Sequence, residues 1–432
     1  MTLMDGNKTL RQIVLIGLSL SAAISVVSAP MFASTVAVGS CQPTKVSFPT
    51  IQQAVNAASP GTTVSVCPGS YPEQVMVNKK LILKGFTSGN QGAAIVTSPV
   101  GGMVQNATGI YGDPIEAQLF VTGPGITVTV SDLTFDAANS NLDALGCNGD
   151  PVGIYFQNAS GTITRNSVRN DVLSPSLTGC QGGLGILAES TGTDSVTITF
   201  NNVETYQKNG ITVDGFGAPG LTTAITSNTI IGQGPTGGAA ENSIQLAYGA
   251  TGSIGSNTLG SDVWTPDVFG DTGDAAAGIL VYDSPSVSIT SNNVSETQYG
   301  IVVESDGSES ADNAQITTNV ISATHFYDAI DLCNSSNSNV TGNKINGADE
   351  SGVHVDNTCG NPSLSNTVKS NTINSTCAGV LSGPASGNTI SPNTYYNTAN
   401  LVLTGVDTCT PAPVRGGKRM ARAHGRVRPV RP

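Results

Sequence analysis

The stretch VSITSNNV, residues 287–294, alternates apolar and polar residues and then breaks at Asn292. The alternation is that of a half-buried β-strand, and asparagine is among the poorest strand formers. The break recurs in ITRNSV, ITFNNV, ITSNTI, IGSNTL, ITTNVI, VTGNKI, VKSNTI and ASGNTI, at Asn166, Asn201, Asn228, Asn257, Asn319, Asn343, Asn371 and Asn388. Successive asparagines of the series lie 17 to 35 residues apart. A second series, GIYF, GILA, GITV, SIQL, GILV, GIVV, AIDL, GVHV and GVLS, alternates with the first. It is keyed on Ile154, Ile186, Ile211, Ile244, Ile279, Ile301, Ile330, Val353 and Val380. Self-similarity at such a period means a solenoid. The units are rich in Val, Ile and Thr, separated by Gly, Ser, Asn and Asp, with hardly any helical period, so the solenoid is built of strands.

In a coil of short parallel strands, each strand pairs with its copies about 4.8 Å above and below, and the turns stack as well. Asparagine tolerates the left-handed turn conformation and carries both donors and acceptors. Stacked copies therefore form an amide ladder like those of cross-β fibrils. The expectation is one corner column holding Asn166, Asn201, Asn228, Asn257, Asn292, Asn319, Asn343 and Asn371, with Asn388 closing the series.

Upstream, FPTIQQAVNAASPGTTVSVCPGSYPEQVMVNKKLILKG, residues 48–85, opens with a helix signature. Thr50 and Gln53 make a capping box, Ile51, Val55 and Ala58 share one face, and Pro60 and Gly61 end the helix. Such a helix covers the open end of a solenoid, where strand edges are unpaired. Together these features resemble the right-handed parallel β-helix proteins of the pectin-lyase-like superfamily, over roughly residues 41–405. The resemblance implies an all-β right-handed parallel β-helix of roughly 11–13 coils with a short N-terminal capping helix. It implies an architecture and not an activity, because the fold hosts lyases, hydrolases, esterases, epimerases and non-enzymes.

Residues 1–33 read as a secretory signal peptide: Lys8 and Arg11 precede an apolar run from Ile13 to Ala29 and a small-residue site near Ala33. Left uncleaved, the same run would be an anchor; nothing else in the chain is apolar enough to span a membrane. Residues 34–410 form the solenoid domain, and 411–432 a basic Pro/Arg-rich tail with seven basic residues and no acid. The tail suits acidic envelope polymers, and without interleaved aromatics it is not expected to bind nucleic acid. Secretion places the eight cysteines in an oxidising compartment. Neighbouring coils suggest Cys41–Cys67, Cys147–Cys180, Cys333–Cys359 and Cys377–Cys409, out of 105 pairings. With no CxxC and only three histidines, no zinc site and no cofactor are expected.

The body carries nine basic residues against 29 acids, a formal charge of −20, and between Arg169 and Lys344 the only basic residue is Lys208. Lyases acting on uronates need cations to hold the carboxylates, so elimination on acidic glycans is disfavoured. An acidic groove suits neutral extracellular polysaccharide, or contacts bridged by Ca²⁺.

Along each strand of the second series the key residue and the one two further on face inward, leaving the alternate pair outside. That outer column includes Tyr282, Glu304, Asp331, Cys333, His354 and Asp356. Asp331 and His354 should be neighbours about 4.8 Å apart, with Asp356 diagonal to Asp331 at about 8 Å. The latter separation is that of an inverting glycosidase pair. Residues 328–353 resemble the catalytic stretch of polygalacturonase-like glycoside hydrolases. That resemblance implies general acid and base roles for Asp328 and the pair Asp349 and Glu350. Phe326 and Tyr327 replace the family's Asn-Thr, Glu350 replaces an Asp, and the later Gly-His-Gly and Arg-Ile-Lys motifs are missing. The expected patch is Asp328, Asp331, Asp349, Glu350, His354 and Asp356, exposed on adjacent coils. Trp264, beside Phe269 in a loop, would either supply a sugar-stacking ring or be a buried anchor of that loop, with Tyr282 and Glu304 as further substrate contacts. The rival reading is a non-catalytic surface scaffold or adhesin. A third, a metal-binding maturation protein, is disfavoured by the scarcity of His and Met.

Overall fold

The computed structural model describes residues 35–404, apart from 88–91, 141–142, 217–219, 238, 265–274, 357–359 and 384–386. The expected signal peptide, the basic tail, Phe269, Cys359 and Cys409 lie outside the described residues. Twelve coils run from Thr63 to Thr404, and the described strand pairings are parallel except for one, Ala107–Thr108 against Pro114–Thr122. Strands that precede the corner asparagines, such as Ser195–Thr199 and Thr222–Thr226, make the first face as a 14-stranded sheet. The strands after them, such as Asn293–Thr297, and those of the second series, such as Tyr299–Glu304, make the second and third faces.

Register is held coil by coil. Ile163, Ile198, Ile225, Ile254, Ile289, Ile316 and Val340 pair in succession along the first face. Ile186, Ile211, Ile244, Ile279, Ile301, Ile330 and Val353 do so along the third. Both columns are buried in one continuous apolar core. A one-residue slip would turn every one of these side chains outward, so the apolar alternation itself specifies register. Gly278, where a third-face strand enters its corner, has no room for a Cβ, which would sit 2.4 Å from Val294.

The asparagine column is present. Each backbone N–H from Asn166 to Asn371 donates to the Oδ1 of the asparagine one coil on, at 2.9–3.1 Å. The side-chain Nδ2 donates to the same oxygen and also to a first-face carbonyl, as in Asn257 to Asn292 Oδ1 at 2.9 Å and to Ile225 at 2.9 Å. Every interior rung is thus saturated in a place where water cannot reach. Two expectations need correction. The last rung is Asn393, which accepts from Asn371. Asn388 stands at another corner, in a shorter ladder of Ser338, Asn366 and Asn388. The left-handed turn residue is also not the asparagine but the one before it: Arg165, Phe200, Ser227, Ser256, Ser291, Thr318, Gly342 and Ser370 all have φ between 54° and 70°. The corner needs asparagine for its amide, and that amide requires its own N–H to point along the solenoid axis.

The helix Ile51–Ala57 caps the N-terminal end, packing on Thr35–Val38, Thr63–Val66 and Val75–Val77. Thr50 Oγ1 accepts from Gln53 N as the capping box requires. Glu73, from the following coil, accepts the N–H groups of Ile51 and Gln52, which places a negative charge at the positive end of the helix. Cys41–Cys67 and Cys147–Cys180 are both formed. Cys333 and Cys377 are disulfide-bonded as well.

Replacing Asn257 by Ala should cost about 4 kcal/mol in urea unfolding, because four hydrogen bonds go and buried groups of Asn228 and Ile225 lose their partners. Phe200→Gly should stabilise by about 0.5–1 kcal/mol, since glycine relieves the left-handed penalty at φ 58° while keeping the backbone bonds, and the exposed Phe200 side chain makes no hydrogen bond of its own. Equal stability of Asn257→Ala and wild type would show that the ladder is incidental.

Candidate functional site

On the third face the alternation sets inward against outward, as the sequence implies, but outward is not exposed. Strands Leu184–Glu189, Asn209–Asp214, Asn242–Ala247, Ala277–Tyr282 and Tyr299–Glu304 are buried at every position. Near the N-terminal end, Ala107, on the short strand paired antiparallel with Pro114–Thr122, clusters with Ile115, Ala117 and Phe120 of that strand and with Tyr155 and Leu187 of the next coils. Further along, Ala275, Tyr299 and the partly buried Tyr248 and Tyr327 pack on Leu280, Tyr282 and Val302.

The expected patch divides under this cover. Asp331 pairs in register with His354 and Cys333 with Asp356, as the spacing requires. All of Asp328, Asp331, His354 and Asp356 are buried, between 1 and 7 % exposed, which corrects their expected exposure. Asp328 accepts from Ser351 N at 2.9 Å, Ser351 Oγ at 2.5 Å and, through Oδ2, from His354 Nδ1 at 3.1 Å. His354 Nδ1 is 4.0 Å from Asp331 Oδ1, and its Nε2 is 3.9 Å from Asp356 Oδ1. Carboxylate oxygens of Asp331 and Asp356 lie within 4.8 Å of each other and of Cys333 Sγ. They are too close to flank a glycosidic bond and a water in the inverting manner, so the expected 8 Å separation is corrected too. Strands stack side chains more tightly than their Cα spacing because both acids lean toward the one imidazole.

Asp349 and Glu350 lie at a bulge in the long strand Lys344–Asp356, between Ala348 and Ser351. Asp349 is partly exposed and its Oδ2 accepts from Phe326 N at 2.8 Å, closing a turn. Glu350 is partly exposed beside Tyr327. Trp264 ends the strand Thr258–Trp264 and is 3 % exposed against Ala240 and Ala276, so it is an anchor and not an exposed stacking ring. Tyr282 is buried and donates to Asp306 Oδ2 at 2.8 Å; Glu304 is buried beside Asp331.

Burial would lower the His354 pKa, but Asp328, then Asp331 and Asp356, outweigh it and raise it to about 10. Burial holds Asp331 well above the usual carboxylate range: His354 pulls it back, while Asp356, Asp328 and Glu304 push it further. A second row of buried acids stands at the other end of the same face. Burial lifts Glu116 to about 7, with the Asp150 and Glu116 amides offsetting part of it. Burial and the Asp113 charge lift Asp150 to about 8 against the Gly183 amide. Tyr155 donates to Glu189 Oε2 at 2.6 Å, and Ile110 N at 3.1 Å.

Between these two acid groups runs an aromatic strip the sequence does not announce. Tyr111 lies 5.7 Å from Phe216 and 5.3 Å from Tyr248, and Tyr248 lies 5.6 Å from Tyr282, ring centre to ring centre. Phe216 is 57 % exposed, and Tyr111 is held by its hydroxyl on Gly215 O at 2.7 Å. The four rings come from four segments, so no linear pattern marks them. Two shallow depressions, of about 480 Å³ around Gly39–Pro49 and about 350 Å³ around Thr97–Asn139, include no residue of either the strip or the His354 cluster.

Solved structures with this course of the chain are a lacto-N-biosidase from Eubacterium ramulus, at TM-score 0.56 and 10 % identity, covering 86 % of this chain and 68 % of that one. The surface adhesin PfbA of Streptococcus pneumoniae follows at TM-score 0.52 and 14 % identity, covering 82 % and 87 %. The Dettilon tailspike follows at TM-score 0.51 and 17 % identity, with this chain spanning 64 % of its length. The chain is a right-handed parallel β-helix of the pectin-lyase-like fold. Residues 222–408 of this β-helix match a family model described as "Periplasmic copper-binding protein (NosD)". No curated protein matches the chain. Among the described residues of the β-helix, no helix is long and apolar enough to cross a membrane.

Carboxyls whose folded pKa is raised from 4.5 and 3.8 contribute stability below about pH 4 and lose it as pH rises through 7 to 8. Melting temperature should therefore fall across that window, and Glu116→Gln or Asp150→Asn should flatten the fall and melt higher than wild type at pH 8. Parallel pH profiles for variant and wild type would refute this assignment.

Proposed function

We propose that this β-helix acts outside the cytoplasm as a glycan-interacting protein and binds neutral polysaccharide along the Tyr111–Phe216–Tyr248–Tyr282 strip. The exposed ring of Phe216, backed by three tyrosines fixed by packing and hydrogen bonds, carries the reading. Rigid aromatic faces offer apolar area at small entropic cost, and the tyrosine hydroxyls add polar contacts for a ligand with alternating CH and OH surfaces. Glu309 stands near Tyr111, and the exposed Asp306 holds Tyr282, so the rim supplies acceptors for sugar hydroxyls. Lys208 is the only basic residue between Arg169 and Lys344, and it is buried on Ala240 O at 2.6 Å. A polyuronate would find no exposed cation on these coils, which favours neutral chains.

Glycoside hydrolysis at Asp328, Asp349 and Glu350 is the second reading, and the local geometry supports it less. Asp328 is saturated by three donors and only 1 % exposed, so it lacks the access to a leaving-group oxygen that a general acid needs. A scaffold that binds without cleaving fits the closed cluster better.

The name of the matching family invokes copper, and the donors of this chain do not fit it in the cuprous state. Residues 222–408 contain no methionine, and the described cysteines among them, Cys333 and Cys377, are disulfide-bonded. Soft thioether and thiolate ligands are what select Cu(I). No step through copper follows from these residues.

Affinity electrophoresis in gels containing neutral β-glucan, α-glucan, xylan or polygalacturonate tests the proposal. Retention is expected on at least one neutral polymer and not on polygalacturonate, weakened at least tenfold by Phe216→Ala and by Tyr248→Ala. New reducing ends lost in Asp328→Asn would replace it with the hydrolase reading. Absence of retention on every polymer, or retention indifferent to Phe216→Ala, would overturn it.

A further inference from the structure

Asp328, Asp331, His354 and Asp356 have a geometry that glycan binding at the aromatic strip does not use. One oxygen of Asp328, one of Asp331 and a ring nitrogen of His354 lie within 4.8 Å of one another. The two distances from His354 Nδ1 are 3.1 Å to Asp328 Oδ2 and 4.0 Å to Asp331 Oδ1. A tetrahedral ion with bonds of about 2.0–2.1 Å spaces its donors about 3.3–3.4 Å apart. The two spacings from His354 Nδ1 bracket that value and the two oxygens lie within 4.8 Å of each other, so side-chain rotations would converge the three atoms.

A second observation points to a ligand. Asp331 Oδ1 is buried and has no hydrogen-bond partner, on a side chain only 6 % exposed and turned toward the imidazole. A buried carboxylate oxygen left alone is costly, and native proteins seldom keep one. The carboxyl of Asp328 is held from behind: Ser351 N–H and Oγ–H occupy Oδ1 and leave Oδ2 facing His354. Asp356 Oδ1 stands 3.9 Å from Nε2, on the far side of the ring. That is beyond hydrogen-bond distance, but a modest approach on ion binding would let Asp356 accept from Nε2–H and leave Nδ1 to ligate, the usual outer support of a metal-bound histidine. Cys333 Sγ is 3.3 Å from Asp356 Oδ2, but as a disulfide sulfur it supplies no thiolate.

We infer that Asp328, Asp331 and His354 form a binding site for a borderline-hard divalent first-row ion, of which Zn²⁺ is the probe, with Asp356 orienting the histidine. Two oxygens and one imidazole nitrogen suit Zn²⁺ or Mn²⁺ and not Cu(I). The ion would tie the coil of Ile330–Cys333 to the next one through His354, adding a cross-coil link near the Cys333 disulfide. Absence of CxxC in the sequence does not bear on this site, because its donors are 3 to 26 residues apart and meet only through strand stacking.

The test uses the full secreted chain, stripped with EDTA and titrated with ZnSO₄ at 150 mM NaCl by calorimetry. One equivalent should bind, and Co²⁺ in its place should give the intense visible bands of a tetrahedral centre. Asp331→Asn should weaken Zn²⁺ binding at least 100-fold, and Asp356→Asn by about 10- to 100-fold, as outer-support losses do. Zn²⁺ should raise the melting temperature of wild type and not of Asp331→Asn. Circular dichroism verifies that the variants fold; if Asp331→Asn does not, the wild-type Co²⁺ spectrum and Asp356→Asn decide. No uptake, uptake unchanged by either variant, or the weak spectrum of six-coordinate Co²⁺ would overturn the site and leave His354 as an ion-paired structural residue.

Discussion

Each coil of this protein hands one buried amide oxygen to the next. Asn Oδ1 accepts both the backbone N–H and the side-chain Nδ2 of the preceding coil, while Nδ2 also closes a first-face carbonyl. A ladder of this kind accepts neither a register slip nor a missing rung without stranding polar groups where water cannot reach. The isoleucine columns supply the apolar driving force and exclude a one-residue slip, but a two-residue slip would keep the same face inward. The asparagines remove that freedom, and the alignment of every other residue, including Asp331 with His354, depends on it.

The corner chemistry has a local cost. Non-glycine residues stand in the left-handed region before almost every rung, and Thr318 is even β-branched. Such a conformation is unfavourable by about 1–2 kcal/mol per residue. It persists because the turn it makes aims the following N–H along the axis, where two saturated hydrogen bonds per rung outweigh it. Serine recurs at these positions, small enough to be tolerated and exposed to water.

The third face shows how a solenoid makes an interior outside its own core. Its outward columns are covered by chain from the corner loops, so the acids there lie in a low dielectric medium and their ionisation is opposed by burial. Near the N-terminal end that produces Glu116 and Asp150 with pKa values of about 7 and 8. Around His354 it produces an imidazolium or cation site ringed by carboxylates. The aromatic strip sits between them, partly covered and partly open at Phe216. The proposed binding at the open strip and the charge balance beneath the cover use separate residues of one surface.

Much of this architecture was legible in the amino-acid order, because a solenoid repeats its local rules. Period-two alternation distinguishes in from out, the asparagine recurrence marks a corner, and neighbouring-coil arithmetic puts Cys41 on Cys67, Cys147 on Cys180 and Asp331 beside His354. What alternation cannot encode is whether "out" means water. That depends on chain from outside the strand concerned, such as the turn whose Ile110 N–H reaches Glu189 beside Tyr155, or Tyr327 stacked on Tyr299. Asp328, Trp264 and Glu304 looked exposed in sequence and are buried for that reason. Asn388 sits in the same short motif as its relatives but at a different corner, because the coil of Asn393 supplies the last rung instead. Tyr111, Phe216, Tyr248 and Tyr282 share no spacing, and Ser351 became the partner of Asp328 only when a bulge turned it inward. Repetition is a property of the sequence; cover and convergence belong to the folded chain, since they join residues that no period relates.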